Sequence, residues 1–186
     1  GLASITVSLL FLVLLLGTIF SNGWPAFRQT YIELQVKLDA ATLGVESSAD
    51  QTALRRASYD VVINQALMER FPGVTERKQK AALKKLLSSS APYQLQAAVM
   101  ADPKLIGTTQ TYWFVADDDI DTYFKGKIDR NAPEADRRIK DFQLAWLDDL
   151  VAKEQVEKRF NVNFFTSGDS REPEQAGILS ALMGSF

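Results

Sequence analysis

The sequence predicts one apolar membrane helix followed by a mixed helix and strand domain of α+β class, and three observations predict it. Residues Gly1 to Phe27 contain no charged side chain, and Leu2 to Phe20 are apolar almost throughout. From Arg28 onward the chain is as polar as an ordinary soluble domain. Within that polar part, stretches of period-two alternation are interleaved with stretches of helical spacing, without an internal repeat.

The anchor rests on length. A helix over Leu2 to Phe20 is roughly 28 Å long, close to the hydrocarbon thickness of a bilayer. Leu9, Leu10, Phe11, Leu12, Leu14, Leu15 and Leu16 would then face lipid. A secretory signal peptide would have a shorter apolar region and a small-residue cleavage site. A buried core helix would carry polar residues over some turns, and an interfacial helix would need a charged face. Trp24, Pro25 and Phe27 occupy the place of an interfacial aromatic belt and a helix stop. The expected organisation is an anchor over residues 1–27, an α+β domain over 28–169, and an apolar end over 170–186.

Ile32, Leu34, Val36 and Leu38 alternate with Glu33, Gln35 and Lys37, which predicts a half-buried strand over Tyr31–Leu38. Residues 40–52 are small and polar and read as a linker. Leu54, Ala57, Val61, Ala66 and Met68 predict a helix from Ala53 to Arg70, stopped by Pro72 and Gly73. Thr75 is expected to cap a second helix to about Leu87, and Pro92 to begin a third that ends at Asp102 and Pro103. Thr108 to Ala116 is rich in β-branched and aromatic residues and predicts a strand. After a loop over Lys125–Asp136, Ile139, Phe142, Trp146, Leu147, Leu150 and Val151 predict a long helix from Arg137 to Lys158. Arg159 to Phe165 reads as a third strand. The segment from Ala176 is apolar again but too short to span, so it reads as an interfacial helix or a truncated membrane segment.

Composition narrows the function. There is no histidine and no cysteine, so Ser-His-Asp and Cys-His nucleophilic sites and zinc centres with those ligands cannot be built. No phosphate-cradling glycine loop is present, and a net charge of −2 gives no basic stripe for nucleic acid. An enzyme is not expected, and neither is a cofactor or a metal.

Five constellations remain. Arg77, Lys78, Lys80, Lys84 and Lys85 form a basic run that is either a solvated helix face or a contact for an anionic surface. Asp117, Asp118, Asp119 and Asp121 have the spacing of the first ligands of a calcium loop, yet Thr122 and Ile128 stand where that loop needs glycine and glutamate. Capping of a short helix Ile120–Phe124 is the better reading. Tyr112, Trp113, Phe114, Phe142 and Trp146 read as core, with Trp113 facing outward if Tyr112 and Phe114 face in. Arg28, Arg55 and Arg56 are cations with nothing in the sequence to bring them together. Asp141, Asp148 and Glu154 are the candidates for carboxylate chemistry, and their spacing suits a solvated helix face.

Several segments are familiar. The apolar leader, Asp102 to Thr108 (DPKLIGT), Asp117 to Gly126 (DDDIDTYFKG) and Phe164 to Gly177 (FFTSGDSREPEQAG) resemble the amino-terminal part of the PstA family. Its members are permease subunits of bacterial phosphate ABC transporters. The resemblance implies a first membrane helix, a large periplasmic insert, and a junction to a permease core. On this chain that junction falls at Phe164, Phe165, Asp169, Ser170, Pro173, Glu174, Ala176, Gly177, Gly184, Ser185 and Phe186. It further implies residence in the bacterial inner membrane, contact with lipid, and phosphate as the transported substrate. The implied partners are a second permease subunit, an ATPase subunit and a periplasmic phosphate-binding protein. The transport core lies outside this chain, which reads as a fragment, so no transport residue can be assigned. The alternative is a complete single-pass protein whose periplasmic domain binds or senses a ligand.

Overall fold

The computed structural model describes residues 1–23, 28–45 and 50–160. Helix α1 (Leu2–Gly23) precedes a domain built on three strands, β1 (Arg28–Lys37), β2 (Thr109–Val115) and β3 (Val156–Phe160). Seven further helices are described: α2 (Ala40–Leu43), α3 (Gln51–Arg56), α4 (Tyr59–Arg70), α5 (Arg77–Lys84), α6 (Ala91–Ala101), α7 (Asp118–Phe124) and α8 (Asp141–Ala152).

The mixed helix and sheet domain is present, but the expectation of a membrane-spanning helix at its start is corrected. Among the described residues no helix is long and apolar enough to cross a membrane. Leu9, Leu10, Phe11, Leu12, Leu14, Leu15 and Leu16 do lie on α1, and all are exposed. Uninterrupted apolar sequence extends only from Leu9 to Leu16, about 12 Å of helix, between Ser4, Thr6 and Ser8 on one side and Gly17, Thr18 and Ser21 on the other. Ser8 and Thr18 donate back to the carbonyls of Ser4 and Leu14. The expected second membrane-associated segment over 170–186 lies outside the described residues, as do Trp24, Pro25 and Phe27.

β1 is the centre of the sheet, in the order β2-β1-β3, and both pairings are antiparallel. Its alternation behaves as the sequence predicts, since Ile32, Leu34, Val36 and Leu38 are all at most 2 % exposed. On this inner face α4 packs against β1 through Val62, Ile63, Ala66 and Leu67, and α6 against β2 through Leu95 and Val99. Leu144, Leu147 and Leu150 of α8 complete the same core.

Several boundaries differ from expectation. Residues 40–52 are not all linker: Asp39 caps α2 by accepting from Thr42 N–H, and Gly44 closes it at φ +71°, a conformation a Cβ would strain. The single helix expected over Ala53–Arg70 is two, because Ala57 is extended and Ser58 starts α4. The break rotates the buried stripe, so Val62 and Ile63 are inside and Val61 is exposed. α8 ends at Ala152 rather than Lys158, where Glu154 turns left-handed at φ 57°. β3 therefore begins at Val156, not Arg159, and residues beyond Phe160 lie outside the described part.

Candidate functional site

Helix α5 carries the basic run. Pro72 and Gly73 follow the end of α4, and Glu76, not Thr75, is the N-cap residue of α5; its side chain makes no capping hydrogen bond. The apolar stripe fixes which way the helix faces. Leu83 is fully buried, and burying such a side chain contributes about 1.5–3 kcal/mol. With Leu83 inside, Arg77, Lys78, Lys84 and Lys85 are exposed and Lys80 is half-buried. None of the five has an ion-pair partner among the described residues. Elsewhere the cations Arg70, Lys125, Arg130, Arg137, Arg138, Lys153 and Arg159 all have one.

The chain after α5 decides what it sits beside. Leu86 and Leu87 are buried, Leu87 forms an antiparallel bridge with Ala116, and Ser88 N–H donates to the Val115 carbonyl at 2.9 Å. Asp117 N–H donates to the Leu86 carbonyl at 3.1 Å. These bonds pin the end of α5 to the end of β2 and so to the start of α7. A cleft of about 290 Å³ results, lined by Lys78, Lys85, Asp117, Asp119, Arg138 and Gln143 among others. Lys78 and Lys85 share this lining with Arg138, which is paired with Asp119 at 3.2 Å. Arg138 and Gln143 were not singled out by sequence patterning, because one sits in a loop and the other among polar helix positions.

The aspartate cluster is a cap. Asp117 accepts from Asp119 N–H at 3.1 Å and begins α7. Asp121 instead turns inward: it is 9 % exposed, accepts from Thr30 N–H at 2.8 Å, and pairs with Lys125. Asp118 stays at the helix start. Among the described residues no group of three or more carboxylates is placed to hold a metal ion.

The aromatic residues divide by strand face. Phe114 is 1 % exposed and stacks against Tyr112 at 5.7 Å, while Phe71, Trp146 and Phe142 form a second row at 5.8 and 5.1 Å. Trp113 is on the opposite face, beneath the Arg159 guanidinium at 4.6 Å, and the same guanidinium lies 5.5 Å from the Tyr31 ring. Burial raises the Tyr31 hydroxyl pKa above its usual value, against the pull of Arg159.

The three candidate carboxylates do not converge. Asp141 pairs with Arg137, whose hydrogen bond holds its pKa below the usual range, and Asp148 pairs with Arg130 at 2.7 Å. Glu154 is exposed past the end of α8. Arg28 is on β1, and Arg55 and Arg56 are on α3, so the structure gives them no common site. The junction residues Phe164, Phe165, Asp169, Ser170, Pro173, Glu174, Ala176, Gly177, Gly184, Ser185 and Phe186 lie outside the described residues.

Residues 1–134, from α1 through α7 into the loop beyond it, match the model of a protein family described as a domain of unknown function (DUF3333). Neither a curated protein nor a solved structure matches the chain.

Proposed function

The chain belongs to the DUF3333 family, and we propose that it is part of the permease subunit of an ATP-driven inorganic phosphate importer, with its α+β domain serving as a docking module. The domain faces the periplasm at the bacterial inner membrane. Its role is non-catalytic: it presents a basic surface to an acidic partner within the transporter, in the first place the periplasmic phosphate-binding protein. A second permease subunit and an ATPase subunit complete the assembly.

One observation supports the docking role. Arg77, Lys78, Lys80, Lys84 and Lys85 are gathered on one short helix and its C-cap, and the fold supplies none of them with a described ion-pair partner. A like-charged stripe of this kind repels itself, so it is tolerable in solution and favourable against an opposite charge. Screening acts over about 8 Å at physiological salt, so an interaction built on these residues is strongly salt-dependent. The transport reading rests on the resemblance of residues 102–108, 117–126 and 164–177 to phosphate permeases.

Two experiments test it. Reading the source gene onward from the codon for Phe186 should reveal further apolar spans of a permease core, and a prompt stop codon would sink the transport reading. In the intact transporter, replacing Lys78, Lys84 and Lys85 by Gln should weaken capture of the binding protein and flatten its salt dependence. Unchanged capture would remove the docking role.

A further inference from the structure

The two edges of the sheet differ in charge. β3 forms one edge and β2 the other, with β1 between them. The register of β1 on β3, with Glu33 N–H donating to Gln155 O, turns Val156, Lys158 and Phe160 toward the edge, so the middle position of that edge is a lysine. Gly107 to Ala116, which contains β2, has no charged residue and no proline. Its pairing with β1 runs from Thr109 to Val115 without a bulge. Lysine, proline and bulges are the usual devices that keep an edge strand from pairing with another chain, and β2 has none of them.

The backbone determines which groups of β2 are open. Leu38 N–H donates to Thr108 O and Ala116 N–H to Thr30 O, both at 2.9 Å, so the even-numbered residues of this stretch face β1. Thr109, Thr111 and Trp113 therefore turn their N–H and C=O groups outward, where they have no backbone partner among the described residues. The open stretch is bounded at both ends. Ser88 N–H donates to Val115 O and Leu87 bridges Ala116 beyond Trp113, while Gly107 N–H is committed to Leu38 O ahead of Thr109. Thr111 is its midpoint, and the side chains of Thr109 and Thr111 are exposed.

We propose that β2 pairs with the β2 of a second copy of this chain, antiparallel about a two-fold axis at Thr111, joining the two sheets through their uncharged edges. About that axis Thr111 faces its own copy, and Thr109 faces Trp113 in both directions. Each is a hydrogen-bonded pair that exchanges both of its bonds, so every open group finds a partner. The facing side chains are Thr with Thr and Thr with Trp, combinations that stabilise antiparallel pairs. No charge meets a like charge. The same symmetry applied to the other edge sets Lys158 against Lys158, so charge selects β2. The inference depends neither on α5 nor on transport.

The chain contains no cysteine, so a single introduced thiol reports the register. Across a hydrogen-bonded antiparallel pair the Cα atoms are about 5.5 Å apart, within reach of a disulfide. Thr111→Cys in the full chain should therefore give a disulfide-linked dimer under a mild oxidant. Gln35→Cys is the control, an exposed position opposite Thr111 on β1 and one strand further from the axis, and it should stay monomeric. Thr111→Lys sets like charges face to face and should move the chain from dimer to monomer in sedimentation velocity. Equal cross-linking at the two positions, or none at Thr111, overturns the proposal. So does a natural chain that sediments as a monomer at the concentration used for cross-linking, which leaves the edge to a strand of another protein. A dimer that Thr111→Lys leaves intact overturns it as well, because the contact then lies on another surface such as α1.

Discussion

Arg28 and Phe160 are cross-strand partners, the first residue of β1 paired with the last residue of β3. The first and last residues of the described sheet thus lie side by side. Between them the three strands and seven helices enclose one core, with Ile32, Leu67, Leu95 and Leu147 all at most 1 % exposed. A domain with its own core and adjacent ends can fold apart from what flanks it. Residues 28–160 expressed alone should unfold in a single cooperative transition, monitored by circular dichroism in urea. A broad, non-cooperative transition would mean that α1 or the residues after Phe160 are needed to complete the core.

Asp121 ties α7 to β1 by accepting from Thr30 N–H across 91 positions of sequence, at 2.8 Å and in a buried setting. Its other oxygen pairs with Lys125, itself only 18 % exposed in the side chain. Asp121→Ala leaves a buried donor unsatisfied and should cost about 1–3 kcal/mol in urea denaturation. Asp121→Asn retains an acceptor oxygen and loses only the charge, so it should cost less than half as much. Equal losses in the two variants would assign the whole effect to the ion pair and overturn the role of the Thr30 hydrogen bond.

Three carboxylates predict how stability responds to acid. Asp149 is held below its ordinary pKa first by the hydrogen bond from Arg70 and then by Lys153. Asp141 is lowered by Arg137, and Asp39 by the Thr42 backbone N–H. For a depressed carboxylate the folded state holds the proton less tightly than the unfolded chain does. The stabilisation is complete above the unfolded pKa, about 3.9 for Asp, and disappears as pH falls through the lower folded value. Tm should therefore be flat near neutrality and fall below about pH 4. Asp149→Asn should show a shallower acid decline, and an unaltered slope would show that the Arg70 contact contributes nothing measurable.

The parts of this fold that were legible in the sequence are those where periodicity is strict. Ile32 to Leu38 alternate because one face of β1 meets the core, and Trp113 faces away from Phe114 for the same reason. The basic stripe of α5 was visible because Leu83 and Leu86 fix its inner face. Positions set by single local bonds were harder to read. Asp39 and Gly44 mark α2, but a four-residue helix has no period to detect. Ser58 restarts the helix after Ala57 with no proline or glycine to announce the break. The cleft beside α5 depends on the Leu87–Ala116 bridge, a tertiary event between distant segments.

Glu154 offers the last prediction, because it is the point where a helical reading of the sequence ran too far. α8 closes with Glu154 N–H donating to Val151 O at 3.0 Å and Gln155 N–H to Leu150 O at 2.9 Å. That geometry requires the left-handed φ of 57°, where glycine is the usual occupant and an L side chain costs about 1–2 kcal/mol. Glycine carries an entropic cost of about 0.5–1 kcal/mol of its own, so the net gain of Glu154→Gly is about 0.5–1 kcal/mol. Glu154 is exposed, so little packing is lost with its side chain. Glu154→Ala is the control: it removes the same carboxylate but keeps a Cβ, and it should leave stability within about 0.5 kcal/mol of the natural chain. Chemical denaturation of the three proteins separates backbone from side chain. A stabilised glycine variant beside a neutral alanine variant is the expected pattern, and a destabilised glycine variant would mean that the turn into β3 is held by the glutamate itself.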